Sequence, residues 1–318
     1  MKTFTVGLSL LLVVLSVVGS VHAQDTAPSQ PNQPSYETRL SDLPRFPHDP
    51  LAWTQGLVWH EGWLYESTGI PDGHDGAILS SLRRVDPLTG EVAQQFDLTR
   101  ENLAAAGQLE AAEAACTFQP DNPLMHGELF AEGLALVGNR LIQLTWQAEC
   151  AVVYDLNTFE IVEFINYGRT SATDEGWGLC YDGQQLYMSD GSAALYVRDP
   201  QTLALIDQLT ITLDGEAIPA DLRPNELECV GGSIYTNLWQ TQYILQIDKA
   251  SGAVTRVIDG ISVIQQLTDE EFNAVRERGG DGGLNGIAYL PERDKFLLTG
   301  KMYPYVFEIS LIMAPTGP

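Results

Sequence analysis

Five positions along the chain carry side chains able to do chemistry: Gln55, Glu132, Trp177, Asn225 and Asn285. Each is followed by glycine (once by Glu226) and then by a branched aliphatic residue, as in Phe130-Ala131-Glu132-Gly133-Leu134 and Leu284-Asn285-Gly286-Ile287. A carboxylate in such an apolar strand is costly to bury unpaired, so Glu132 needs a partner or a role. Lys301 is the obvious partner, in a purely structural pair. The amides are polar groups that could converge with Glu132 in one small-molecule pocket. Read as oxygen donors, Gln55, Glu132, Asn225 and Asn285 would instead suit a calcium ion, although only one is acidic and Lys301 adds a positive charge.

Other chemistries lack their residues. The histidines at 48, 60, 74 and 126 have no metal-type spacing, and none of Cys116, Cys150, Cys180 and Cys229 forms a C-x-x-C pair. Thr299-Gly300-Lys301 is not a phosphate loop, because Lys295 stands where that pattern needs glycine. A formal net charge of -25 argues against nucleic acid or an anionic membrane as partner.

The elements that must position these side chains repeat. Second strands begin at Leu64, Leu141, Leu186 and Ile234, each nine residues after its key position; in the fifth copy Phe296 lies eleven after Asn285. A fixed offset kept through the copies is an internal repeat. A third strand follows in each copy, then Asp-centred turns such as Asp86-Pro87-Leu88-Thr89-Gly90, then a fourth strand in the first four. The fifth copy ends with three, and a spare strand at Tyr36 to Arg45 can supply its fourth and close the ring. The fold expected over 36–318 is therefore all-β, a five-bladed propeller. Arg100 to Cys116 and Ile261 to Arg278 read as helical insertions. Ahead of the propeller, residues 1–23 read as a secretory signal peptide and 24–35 as a flexible linker. Export after cleavage near Ala23 is expected, with a monomer as the default state.

In a propeller the first strand of each blade lines the channel, and strands alternate in direction. The starts of the first strands, the ends of the second strands and both helical insertions then share one face. That mouth collects Glu132, the amides, Trp146, Trp177, Trp239 and Lys301, an apolar wall with a few convergent polar groups. Each residue also has a structural reading: tryptophan in a strand is commonly core, and a lone asparagine often caps backbone. Cys116 and Cys150 fall on the same face and are expected to form a disulfide pinning the inserted helix over the rim. Cys180 and Cys229 lie in first strands and are expected as buried free thiols.

Ordered motifs run along nearly the whole chain: FPHDP at 46–50, TQGL at 54–57, LYESTG at 64–69, EGL at 132–134, EGWGL at 175–179, SDG at 189–191, NELE at 225–228, NLWQT at 237–241, LNGIAY at 284–289 and TGK at 299–301. Taken together they resemble the plant and bacterial type of glutaminyl-peptide cyclotransferase. The resemblance implies a five-bladed propeller, no cofactor, and peptides or proteins with N-terminal glutamine as partners. It implies conversion of that glutamine to pyroglutamate with release of ammonia. It places the acid/base carboxylate at Glu132, and other pocket positions at Trp53, Gln55, Phe130, Trp146, Trp177, Asn225, Trp239 and Lys301. The chain departs from the family pattern at Trp53 (usually Phe), at Ala131 (usually Gly), at Met302-Tyr303-Pro304 (usually x-Trp-Pro) and in a longer 100–125 insertion. Two other readings stand beside it: a calcium-centred propeller hydrolase such as a lactonase, and a non-catalytic propeller that binds peptide ends.

Overall fold

Each of the first four blades owes its outer hairpin to one aspartate. Asp86 accepts the backbone N–H groups of Leu88 and Thr89 at 2.8 and 3.1 Å, and Asp155, Asp199 and Asp248 repeat the turn in the next three blades. These side-chain caps stand in for ladder bonds and fix the register of the third and fourth strands. The turn ends in a left-handed residue, which is Gly90 and Gly252 in two blades and Phe159 and Leu203 in the others. The last two are buried, so core packing outweighs the left-handed penalty of about 1–2 kcal/mol.

The computed structural model describes residues 36–38, 44–69, 79–122 and 127–313. The expected signal peptide and linker lie outside the described residues. Five four-stranded antiparallel units follow one another. Blade one is Thr54–His60, Trp63–Thr68, Ser81–Val85 and Val92–Asp97; blade two is Ala131–Val137, Arg140–Thr145, Cys150–Asp155 and Ile161–Asn166. Blade three is Leu179–Tyr181, Leu186–Ser189, Ala194–Arg198 and Leu205–Thr210; blade four is Pro224–Val230, Ser233–Leu238, Tyr243–Asp248 and Val254–Asp259. Blade five is Ile287–Leu290, Lys295–Leu298, Tyr305–Ile309 and, from the start of the propeller, Arg45–Pro47.

The first strands touch one another, which explains the repeated glycine. A Cβ on Gly133 would lie 2.5 Å from the Trp177 carbonyl oxygen and the Leu179 nitrogen, and one on Gly178 would lie 2.1 Å from the Asn225 carbonyl oxygen. In the copy that has Glu226 instead, the side chain fills the same place. Its carboxylate accepts the backbone N–H groups of Leu57 at 3.3 Å and Ile287 at 2.8 Å, joining blades one and five.

Three expectations need correction. The closing strand is Arg45–Pro47, paired with Tyr305–Ile309, and not the whole run from Tyr36. Prolines at 44 and 47 frame it and limit it to a short edge strand. Tyr36–Thr38 pairs instead with Val254–Asp259 and Leu311–Met313, extending the outer edge of blade four. Each helical insertion is two helices. α1 (Arg100–Ala105) and α2 (Leu109–Ala115) are separated at left-handed Gly107. α3 (Ile261–Ile264) and α4 (Asp269–Glu277) are separated where Thr268 starts a capping box with Glu271. Finally, Cys180 and Cys229 are not free thiols. They form a disulfide with a Cα–Cα distance of 5.4 Å, because the first strands of blades three and four lie side by side once Gly178 admits the Asn225 backbone. The expected Cys116–Cys150 disulfide is present and ties the end of α2 to the third strand of blade two.

Candidate active site

At three of the five key positions the first strand is bulged. The register against the second strand shifts between Thr54 and Gly56, between Ala131 and Leu134, and between Pro224 and Leu227. A bulge re-aims the side chain within it, here Gln55, Glu132 and Asn225. Ends of second strands then lock the backbones at the key positions of the following blades. Ser67 donates to the Glu132 carbonyl at 2.5 Å, Ser189 to the Asn225 carbonyl at 2.6 Å, and Asn237 accepts the Gly286 N–H at 2.9 Å.

Nine residues named from the sequence line one cavity of about 260 Å³ at the mouth, together with Arg223; Asn285, the fifth key position, does not line it. Burial sorts them by depth. Gln55, Glu132, Asn225 and Lys301 are buried and form the floor, with Trp53, Phe130 and Trp177 beside them. Trp146, Arg223 and Trp239 are half-buried and form the rim.

The floor is a directed chain of hydrogen bonds. Asn285 donates to the Thr54 carbonyl at 2.8 Å and to Gln55 Oε1 at 3.1 Å. That fixes the Gln55 amide, whose Nε2 donates to Glu132 Oε1 at 2.9 Å. Glu132 Oε2 has no hydrogen-bond partner among the described residues, and neither has Asn225 Oδ1. Burial pushes the Glu132 carboxyl well above its ordinary value; the Lys301 charge opposes this and Glu175 adds to it. No ion pair joins Lys301 to Glu132. The Lys301 ammonium lies over the Trp53 ring, 5.2 Å from its centroid. Gln55 does not offer its oxygen to a calcium ion beside Glu132, because its carbonyl oxygen faces Asn285 and its N–H group faces Glu132.

The aromatic wall follows the repeat as well. Fourteen residues after the key position stand Gly69, Trp146, Gly191 and Trp239 in the first four blades. A Cβ on Gly69 would lie 2.5 Å from the Phe130 ring, and one on Gly191 would lie 2.7 Å from the Trp177 ring. Glycine thus makes room for the neighbouring ring wherever the repeat does not itself supply one. Phe130 packs on Trp146 with centroids 5.5 Å apart, and Trp177 on Trp239 at 6.1 Å. Glu175 accepts the Trp177 indole N–H at 2.8 Å.

Sequence reasoning missed Arg223. A signal for it exists two residues before the key position, just ahead of the first strand. Trp53 and Phe130 hold that offset in blades one and two, and Arg223 holds it in blade four. Its guanidinium lies 4.1 Å from the Trp239 ring centroid and 4.8 Å from that of Trp177.

Comparison with known proteins agrees with this geometry. The profile of a family described as glutamine cyclotransferase matches residues 11–311. A glutaminyl-peptide cyclotransferase of Arabidopsis thaliana is 32% identical over 272 residues, spanning 85% of this chain and 70% of that protein. The crystal structure of Myxococcus xanthus glutaminyl cyclase superposes with a TM-score of 0.66 at 30% identity, covering 89% of this chain and all of that one (100%). The five-bladed ring, the cavity at its mouth and these matches along most of its length have one conclusion: the chain belongs to the glutamine cyclotransferase family.

Proposed function

We propose that this protein cyclises N-terminal glutaminyl residues of peptides and proteins to pyroglutamate, releasing ammonia. The observation that carries the reading is Glu132, a buried carboxyl on a cavity floor with Oε1 held by Gln55 and Oε2 unpartnered.

The substrate supplies its own nucleophile. Its α-amine, with an ordinary pKa of about 8, is partly neutral at working pH. The amine nitrogen bonds to the γ-carboxamide carbon, the bond from that carbon to the amide nitrogen breaks, and ammonia leaves. One proton must leave the attacking nitrogen and one must reach the departing nitrogen. Glu132 Oε2 does both in turn, since Oε1 stays engaged with the Gln55 N–H. Burial raises the basicity of this carboxyl, and such a shuttle contributes about 10²–10⁴-fold. Lys301 and the Asn225 amide donate to the carbonyl oxygen as it gains charge. Gln55 spends one N–H on Glu132, so its first task is to orient that carboxyl. The aromatic wall holds the ring-closing conformer and keeps water from competing. No cofactor enters these steps.

Export is part of the same reading. The two disulfides suit an oxidising compartment, and no described helix is long and apolar enough to cross a membrane.

The test is to incubate the protein with a short peptide bearing N-terminal glutamine, with and without EDTA. Ammonia and a blocked N-terminus, unaffected by the chelator, are expected. Binding of the peptide without ammonia release would favour the non-catalytic reading, and activity lost to EDTA the calcium one.

A further inference from the structure

Arg223 stands apart from the rest of the site. Catalysis as described uses the buried floor, whereas Arg223 is half-buried at the rim between Trp177 and Trp239. A substrate whose glutaminyl side chain reaches Glu132 must run its next residue out past that rim.

The side chain is held in place from both ends. Its backbone takes a left-handed conformation at φ 45°, uncommon for a long side chain, and its carbonyl accepts the Trp239 N–H at 3.0 Å. Its planar cation rests on the two indoles. Stacking engages the faces of a guanidinium and leaves its in-plane N–H donors for another partner. Among the described residues no acceptor takes those donors, although acidic side chains are plentiful: the chain has 42 Asp and Glu against 17 Lys and Arg. A preoriented guanidinium without an acceptor, at the exit of a substrate cavity, matches a carboxylate in the fork geometry that arginine favours.

We propose that Arg223 reads the residue after the N-terminal glutamine and selects peptides that present a carboxylate there. That carboxylate is either the side chain of an acidic second residue or the free C-terminus of a dipeptide. The inference rests on the cyclotransferase reading and deepens it by naming a substrate preference.

The experiment compares kcat/KM at low ionic strength for Gln-Asp-Ala-amide, Gln-Ala-Ala-amide and Gln-Lys-Ala-amide, and for the dipeptide Gln-Ala with a free or amidated C-terminus. Wild type, Arg223→Gln and Arg223→Lys are each assayed. Tryptophan fluorescence titration with the same peptides gives affinities independent of turnover. Wild type is expected to favour the aspartyl over the lysyl peptide by about tenfold or more, the size of one charge-assisted hydrogen bond. Arg223→Gln should bring the ratio to about one, and Arg223→Lys should keep part of it. The preference should weaken in high salt. Comparing the tripeptide and dipeptide series shows which source of carboxylate is read. A ratio near one in wild type, or a ratio unchanged in folded Arg223→Gln, would overturn the proposal; an equal loss on every peptide would make Arg223 a prop for the tryptophans. Charge-selective binding without ammonia release would uphold the recognition while removing the reaction beneath it.

Discussion

Glu132 is a residue that the fold holds against its own stability. Burial raises its pKa in the folded state, so between the unfolded and folded values the native protein binds more protons than the unfolded chain. Stability from this group therefore falls as the pH rises from about 4.5 through the folded value. Glu132→Gln keeps the shape and removes the charge. It should raise stability by about 0.5–2 kcal/mol at pH 8, with a smaller gain at pH 5. Urea midpoints of the two proteins at both pH values would check this, and a variant less stable at pH 8 would contradict it. Much of this site was legible from residue types. One carboxylate stands in a register otherwise held by amides and an indole, and the ends of the second strands, on the same face, placed Trp146 and Trp239 in the wall. Which way each amide faces was not legible, because Gln55 is oriented by Asn285 from a blade 230 residues away in sequence.

At the scale of elements, the seam between blades five and one is stitched by a buried pair. His48 Nε2 meets Glu66 Oε1 at 3.0 Å, and His48 Nδ1 meets the Tyr303 carbonyl at 2.8 Å. Both ring nitrogens face acceptors, so the imidazolium satisfies both. Burial opposes a charged His48, yet Glu66 outweighs it and raises the pKa; burial likewise opposes ionised Glu66, and His48 draws its pKa down. The imidazolium share of stability is complete below 6.5 and is lost as the pH rises through the raised value. The carboxylate share is complete above 4.5 and is lost as the pH falls through the lowered value. Glu66→Gln should cost about 3–5 kcal/mol at pH 6 by leaving one charge unpaired, and less at pH 9. Denaturation at the two pH values measures it; an equal cost at both would dissolve the pair's role. The glycines that admit aromatic rings make a second prediction. Gly191→Ala places a Cβ 2.7 Å from the Trp177 ring at φ +76°. It should raise KM about tenfold, roughly the 1–3 kcal/mol of an overpacked site; an unchanged KM would show that the indole yields freely. The strands were readable from their turns, whose aspartates act locally. The closing strand was misplaced because two prolines, not the hydrophobic pattern, set its length.

Across the whole molecule, a ring of blades is held shut by its seams. Arg45–Pro47 closes it through the last blade, and the Cys180–Cys229 disulfide crosses from blade three to blade four over a sequence separation of 49. By loop-closure entropy, removing that bridge costs about 4 kcal/mol. Cys180→Ala with Cys229→Ala should therefore lower Tm while leaving the site residues in place. The Cys116–Cys150 variant should lose less activity than stability, since it frees α2 and not the floor. Thermal melts with and without reductant, beside kcat/KM, separate the two. The five-fold count was legible because an equal offset between strands survives divergence. The second disulfide was not, since contact between neighbouring first strands appears only when the ring closes.

The central claim is that Glu132 moves the protons of a cyclisation. Its most direct test is ammonia release from a peptide with N-terminal glutamine by wild type and by Glu132→Gln of equal foldedness. The account predicts release by wild type and a loss of about 10²–10⁴-fold in kcat for the variant, with peptide binding retained. Near-normal release by Glu132→Gln would contradict it.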